Sequence, residues 1–185
     1  MSYFQTNYAE QIGTAYAGML ADTTTAEVIS ASAAVSDIRY GSAVSIEPLG
    51  PTSVVTKVSV TENTETSGLG DRFFGVAVRE HVREGDRTPL VLPFGDGETS
   101  YIKPEETVSV LKRGRIWVEL YEDVWADREA YIYYNVAAPT EKLGAFGMGT
   151  DAVNTIAVAS TGSGWFRAKF VTSGSAGGLA VLEIK

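Results

Sequence analysis

Apolar side chains alternate with polar or small ones in many short segments of this chain, and this period of two constrains the fold more than any other feature. In segment 54–60, Val54, Val58 and Val60 fall on one face, whereas Lys57 and Ser59 fall on the other. Successive side chains of a β-strand point to opposite faces, so the alternation indicates strands with one buried face. We predict strands near residues 54–60, 73–80, 107–111, 115–121, 130–135, 165–171 and 178–184.

Glycine and proline residues separate these segments, without the 10–15-residue helical patterns that mark an α/β protein. The stretch Lys112–Arg115 contains a glycine and predicts a tight hairpin between two strands. Short strands at this spacing favour a mainly β fold, either an antiparallel β-sandwich or a barrel-like domain. The length of 185 residues fits one such domain, which we place at residues 35–185.

The first 34 residues differ from the rest, and their only charged side chains are Glu10, Asp22 and Glu27. Apolar residues recur at helix-like spacing, but Gly13 and Gly18 interrupt them, so we predict at most a short helix. The segment carries more apolar surface than a free tail leaves in water. We therefore expect an N-terminal arm that docks on a neighbouring subunit, with packing on its own domain as the alternative. The predicted interface residues are Tyr3, Phe4, Tyr8, Ile12, Tyr16, Met19 and Leu20.

Composition argues against several classes of function. The 15 Lys and Arg residues against 23 Asp and Glu residues give a net charge of −8, which opposes binding to nucleic acid or to an anionic membrane surface. The sequence shows no membrane-spanning run and no signal-peptide pattern, so we expect synthesis in the cytoplasm. The absence of cysteine excludes disulfides and thiolate chemistry. A single histidine, His81, leaves little for acid–base catalysis, and we predict that the protein is not an enzyme.

Two motifs were candidates for chemistry. Glu80 precedes His81 at the end of a predicted strand, but neighbouring strand residues point to opposite faces and make a poor dyad. Residues 147–152 match the dinucleotide-binding pattern G-x-G-x-x-A. That fingerprint requires a helix after the glycines, whereas the β-branched residues that follow here predict a strand. We interpret the motif as a flexible loop.

Charged residues gather in the predicted turns. Asp96 and Glu98 offer oxygen ligands but lack the spacing of a calcium loop. The carboxylates of Glu105–Glu106 and of Glu122–Asp123 are adjacent in sequence, and adjacency does not set the distance between two carboxylates that glycosidases need. We expect both pairs to be solvated at strand ends. The basic residues of Lys112–Arg115 could meet an acidic protein but are too few for DNA binding. We predict no metal and no cofactor.

Several segments carry a resemblance to a known family. Residues 74–81, 108–118 and 166–184, together with Phe4–Thr6, resemble the capsid cement proteins of tailed bacteriophages, also called decoration or head-stabilising proteins. The resemblance implies a virion protein on the outer surface of an icosahedral head, where it binds the major capsid protein and locks neighbouring capsomers. It implies no catalytic residues, and a homo-oligomer, with a homotrimer slightly favoured over a homodimer.

Two other functions remain open on the sequence. A carbohydrate-binding β-sandwich, acting as an adhesion module, could use exposed rings of Trp117, Trp125 or Trp165 to pack against sugars. A hydrolase is the weakest option because histidine and cysteine are so scarce.

Overall fold

The structure is a computed structural model that describes residues 15–33, 38–46, 57–60, 73–79, 101–134, 143–151, 153–160 and 167–185. It contains twelve strands within these ranges, and no α-helix occurs in them. The strands are β1 (Leu20–Ala33), β2 (Ile38–Arg39), β3 (Ala43–Ile46), β4 (Lys57–Val60), β5 (Phe73–Val78), β6 (Tyr101–Ile102), β7 (Thr107–Glu119), β8 (Tyr131–Tyr133), β9 (Phe146–Gly147), β10 (Thr155–Ala157), β11 (Ala168–Phe170) and β12 (Leu179–Ile184), with a short 3-10 turn at Val158–Ser160.

Seven strands form the main sheet, in the order β1-β4-β3-β5-β7-β12-β11. The pairing of β1 with β7 joins the ends of the first five strands into a closed, barrel-like ring, and β12 and β11 extend from it. Neighbouring strands are antiparallel except β1 and β4, which pair in parallel at Ser32 and Ala33. The prediction of a mainly β, antiparallel domain is confirmed, and the strand pairing favours the barrel-like alternative.

The main sheet buries apolar side chains on both faces. One core contains Val76 and Val78 of β5 together with Ile132 and Phe146 from the small sheet β10-β8-β9. The other core contains Ala77 of the same strand, with Ile38 of β2 and Ile102 of β6 from the two-stranded sheet. Because both faces of β5 are covered, its sequence is almost continuously apolar rather than strictly alternating.

The predicted hairpin at Lys112–Arg115 is wrong, because β7 runs through it as one strand of 13 residues. Before Gly114, β7 pairs with β5, as in the pair of Val76 and Leu111. From Gly114 onward it pairs with β12 instead, beginning with Ile184. Gly114 has φ +126°, and a β-carbon there would lie 3.0 Å from Cα of Ala26 in β1. The glycine therefore serves a close approach between strands where β7 changes partner, and not a reversal of the chain.

The segment before residue 35 also differs from expectation. The prediction of at most a short helix is wrong for Leu20–Ala33, which form the longest strand of the described structure. β1 pairs antiparallel with β7 from the pair Leu20–Ile116 to the pair Ser32–Thr107, with register shifts between residues 20 and 28. The β-branched residues of this stretch suit an extended backbone. The expected arm thus includes a strand of the main sheet, and the division of the chain at residue 34 stays a prediction.

The other predicted strands have counterparts. Residues 73–80, 130–135, 165–171 and 178–184 contain β5, β8, β11 and β12. Residues 57–60 form β4, whereas 54–56 lie outside the described residues. The short strands β2, β3, β6 and β9 were not predicted, because two to four residues are too few to show a period.

Candidate functional site

Three of the seven predicted interface residues lie in the described structure, and the other four, Tyr3, Phe4, Tyr8 and Ile12, lie outside it. Backbone hydrogen bonds fix the chain just before β1. The N–H of Gly18 donates to the carbonyl of Trp117 at 2.8 Å, and the N–H of Trp117 donates to the carbonyl of Met19 at 2.9 Å. The N–H of Arg79 donates to the carbonyl of Gly18 at 2.8 Å.

Side chains around this segment also contact their own domain. The guanidinium carbon of Arg79 lies 4.7 Å from the ring centroid of Tyr16 and 5.7 Å from that of Tyr40. Leu20 is half-buried and packs against the larger core. The base of the predicted arm thus packs on its own domain, as the alternative reading supposed. The role of all seven residues as a subunit interface stays a prediction.

The most exposed aromatic side chain of the described structure lies on the turn that follows the C-terminal end of β7. Trp125 is 58% exposed. The N–H of Arg128 donates to the carbonyl of Trp125 at 3.4 Å. Asp127 has φ +63°, a left-handed conformation that Asp tolerates better than most residues. Nζ of Lys169 lies 2.9 Å from Oδ1 of Asp127, which ties the turn to β11.

A second loop, which leads into β12, holds the Trp125 turn in place. Val124 and Gly174 exchange two backbone hydrogen bonds, of 2.8 and 3.1 Å. The N–H of Ala126 donates to the hydroxyl of Ser173 at 3.1 Å. In the other direction, the N–H of Ala176 donates to Oδ1 of Asp123 at 2.9 Å. These bonds join residues about fifty positions apart and make the two loops one structural unit.

Between the two loops lies a shallow groove, which we call the Trp125 groove. Its volume is about 330 Å³. Its lining combines the aromatic Trp125 and the acidic Asp123 with small residues of the loop before β12. The described lining residues are Asp123, Val124, Trp125, Ser173, Gly174 and Ser175. Asp123 is the one charged side chain among them, and it forms no ion pair with any described residue.

The described part of the glycine motif, residues 147–151, is a clamped loop in the structure, and not the flexible one we expected. The carboxylate of Glu122 accepts hydrogen bonds from the N–H of Met148 and from the N–H and hydroxyl of Thr150. The N–H of Gly149 donates to the phenol oxygen of Tyr121 at 3.2 Å. Burial, followed by the nearby charge of Glu122, raises the pKa of Tyr121 well above its ordinary value.

The glycines of this motif are explained by the same packing. A β-carbon at Gly147 would lie 2.6 Å from Cε1 of Tyr121, and one at Gly149 would lie 2.6 Å from Cγ of Tyr131. Residues after the motif form β10, so the prediction of a strand there is confirmed. Glu122 is half-buried, and the expectation that it would be solvated at a strand end is wrong.

The remaining sequence candidates do not gather into a chemical site in the described structure. Arg115 pairs with Glu183, and Nζ of Lys112 lies 3.8 Å from the ring centroid of Phe74. Two of the three basic side chains of this stretch therefore already contact residues of their own domain. His81, Asp96 and Glu98 lie outside the described residues. Across the part of the chain that is described, no three His, Asp or Glu side chains are placed to hold a metal ion. Within the same segments, no helix has the length and apolarity needed to cross a membrane.

Sequence reasoning named Trp125 only as one of three tryptophans and did not single it out. Trp117 is half-buried in β7, and Trp165 lies outside the described residues. The available signal was local: Trp125 lies in a stretch with acidic residues on both sides, Asp123 and Asp127, rather than within a predicted strand. That context favours an exposed ring.

Comparisons with known proteins identify what the chain is similar to. Residues 4–185 match the model of a family described as "Structural cement protein (E217 gp24/Pam3 gp6)". The fold is similar to a chain in the solved structure "The capsid of Myoviridae Phage XM1", with a TM-score of 0.59 and 13% identity, covering 99% of this chain and 97% of that one. No curated protein shows a significant match. The alternative of a carbohydrate-binding module has no support in these comparisons.

Proposed function

Because the chain belongs to the phage structural cement protein family, we propose that it binds the outer surface of an icosahedral phage head and stabilises contacts between major capsid protein subunits. The observation that carries this proposal is the extent of the family match, residues 4–185, which takes in both the segment before β1 and the whole β-domain. The protein is thus a structural component of the virion capsid, and the proposal concerns where it sits and what it joins.

The fold suits a protein that must hold its shape while bound. The main sheet is covered on both faces, and large side chains of the first core, such as Phe73, Phe146 and Phe170, are fully buried. A rigid subunit loses little conformational entropy on binding, so each contact contributes more to attachment. Contacts repeated over a symmetric shell then add to a large total stabilisation, even when a single contact is weak.

We further propose that the segment before β1 docks on a neighbouring subunit through Tyr3, Phe4, Tyr8 and Ile12. This segment carries one charged side chain, Glu10, up to residue 21, so little charge has to be desolvated on docking. The base of the segment is tied to the domain through Gly18 and Met19, which would fix the point from which the arm leaves. A homotrimer is the assembly we favour, ahead of a homodimer.

The amino-acid composition also fits a structural role, because side chains suited to catalysis are scarce. The chain has one histidine and no cysteine, which leaves few groups for acid–base or nucleophilic work. We infer that the protein is not an enzyme.

The experiment is to decorate capsids. Capsids of the phage that encodes this chain are prepared without the protein, purified protein is added back, and the bound copies are counted and located by cryo-electron microscopy. We expect saturable binding at fixed positions on the outer surface and a higher melting temperature of the decorated capsid. Mass photometry of the free protein gives its oligomeric state. Absence of binding, or density only on the inner surface, would contradict the proposal.

A further inference from the structure

We propose that the Trp125 groove is a docking site for a cationic side chain, preferentially an arginine, on the surface of the capsid protein. This inference rests on the proposed function, because it takes the capsid protein as the partner. It goes further by naming the contact residues, Trp125 and Asp123, and the chemistry that they recognise.

The first argument is the exposure of a large aromatic ring on a fixed support. Trp125 leaves 58% of its surface in water, although the turn that carries it is tied to the neighbouring loop. Exposed aromatic surface is hydrated at a cost that burial in an interface removes. Tryptophan is also the residue type most enriched among those whose truncation costs an interface most. The ring is therefore the strongest candidate for a contact residue in the described structure.

The second argument is charge. Oδ1 of Asp123 accepts the N–H of Ala176, yet the carboxylate has no cationic partner among the described residues. By contrast, the nearby Asp127 is paired with Lys169. The chain as a whole carries −8, so its field attracts a basic surface at long range.

The third argument is that one type of side chain can contact both Trp125 and Asp123. A guanidinium is planar, stacks on the face of an indole, and donates hydrogen bonds to a carboxylate with its edge. Trp125 and Asp123 line the same groove, and Ser173, Gly174 and Ser175, which also line it, are small enough to leave room. Since hydrogen bonds between the two loops already hold these lining residues in place, little ordering is needed when the partner enters.

The test measures binding of full-length variants to the undecorated capsids described above. Trp125→Ala removes the ring, and Asp123→Asn removes the charge while keeping an oxygen that can accept the N–H of Ala176. Trp125→Phe keeps an aromatic face. The matched control is Val153→Ala, since Val153 is 75% exposed but is not among the lining residues of the groove. Thermal unfolding of each variant shows whether it still folds.

We expect Trp125→Ala to weaken binding by about 30-fold or more, as for a residue at the centre of an interface. Asp123→Asn should weaken binding by about 3- to 10-fold, and the loss should shrink as salt screens the charge. The affinity of Trp125→Phe for capsids should lie between those of wild type and Trp125→Ala. Val153→Ala should bind like wild type.

Several results would overturn the inference. If wild type binds capsids and folded Trp125→Ala binds equally well, the groove is not the docking site, and the proposed function stands without it. If Trp125→Ala loses binding while Asp123→Asn and added salt change nothing, the partner group is not cationic. If Trp125→Ala abolishes binding to a glycan array but not to capsids, the groove serves sugars. Failure of wild type to bind capsids would instead refute the proposed function.

Discussion

Arg115 of β7 and Glu183 of β12 face each other across two paired strands, and the guanidinium donates twice to one carboxylate oxygen. Nε and Nη2 of Arg115 lie 3.0 and 2.9 Å from Oε1 of Glu183. Nζ of Lys185 lies 3.2 Å from Oε2 of the same carboxylate. These bonds lie just beyond Gly114, where β7 leaves β5 and joins β12, and they hold the new pairing in register.

The hydrogen bonds from Arg115 lower the pKa of Glu183 below its ordinary value. Because the folded protein holds this carboxylate ionised, the stabilisation is present above the unfolded pKa, near 4.5, and is lost as the pH falls through the lower folded value. We expect Glu183→Gln to reduce the free energy of unfolding by less than about 1 kcal/mol at pH 7, since the pair is partly exposed. Urea unfolding of both proteins between pH 3 and 7 should show the difference shrinking toward the acid end. A difference that grows toward pH 3 would contradict this.

Gly149 and Gly177 provide a matched pair for the clamped loop. Their φ angles are +77° and +73°, so alanine costs about 1–2 kcal/mol of backbone strain at either position. A β-carbon at Gly177 meets nothing within 4 Å, whereas one at Gly149 meets the ring of Tyr131. We expect Gly149→Ala to destabilise the protein by about 1–3 kcal/mol more than Gly177→Ala, as overpacking does. Equal losses in denaturant unfolding would show that the ring moves aside at no cost.

Glu122 accepts all the hydrogen bonds that hold Met148 and Thr150, so its removal leaves a half-buried N–H without an acceptor. We expect Glu122→Ala to cost about 1–3 kcal/mol. Amide hydrogen exchange at Met148 and Thr150 should also become faster. The control is Glu106→Ala, which removes one exposed hydrogen bond from the N–H of Lys103 and should cost less. Unchanged exchange at residues 148–150 would refute the clamp.

The raised pKa of Tyr121 predicts a loss of stability at high pH. The unfolded chain ionises this phenol near pH 10, while burial keeps it neutral in the folded protein. The contribution of this buried phenol to the free energy of unfolding is therefore complete below about pH 10, and it falls as the pH rises toward the folded pKa. We expect wild type to lose stability between pH 9 and 11 more steeply than Tyr121→Phe, by unfolding in urea. Parallel curves for the two proteins would contradict the burial of this phenol.

Two truncations separate the proposed arm from the fold. Removing residues 2–14 spares β1 and the hydrogen bonds of Gly18, so we expect a folded protein whose capsid binding is weaker. Removing residues 2–34 also deletes β1, which pairs with β7 over most of its length, and we expect loss of cooperative unfolding. Circular dichroism and the capsid assay measure both. If the shorter truncation decorates capsids as tightly as the full chain, the arm is not an interface.

The sequence alone determined the class of fold and the position of several strands. Alternation in the second half of β7 and in the last three residues of β12 is set by the geometry of an extended chain, which needs no knowledge of partners. Scarcity of histidine and the absence of cysteine likewise pointed to a structural role before any fold was known.

Only the tertiary structure decided which residues meet. In the sequence, Gly114 is equally compatible with a turn and with a close contact between strands. The contact with Ala26, 88 positions earlier in the chain, shows that the second is correct. The glycine motif is rigid because Glu122 reaches Met148 and Thr150, and Trp125 is exposed on a fixed turn because a loop near Ser173 supports it. Such contacts join residues far apart in the chain, so no local pattern records them, and they made the candidate site visible only in the folded molecule.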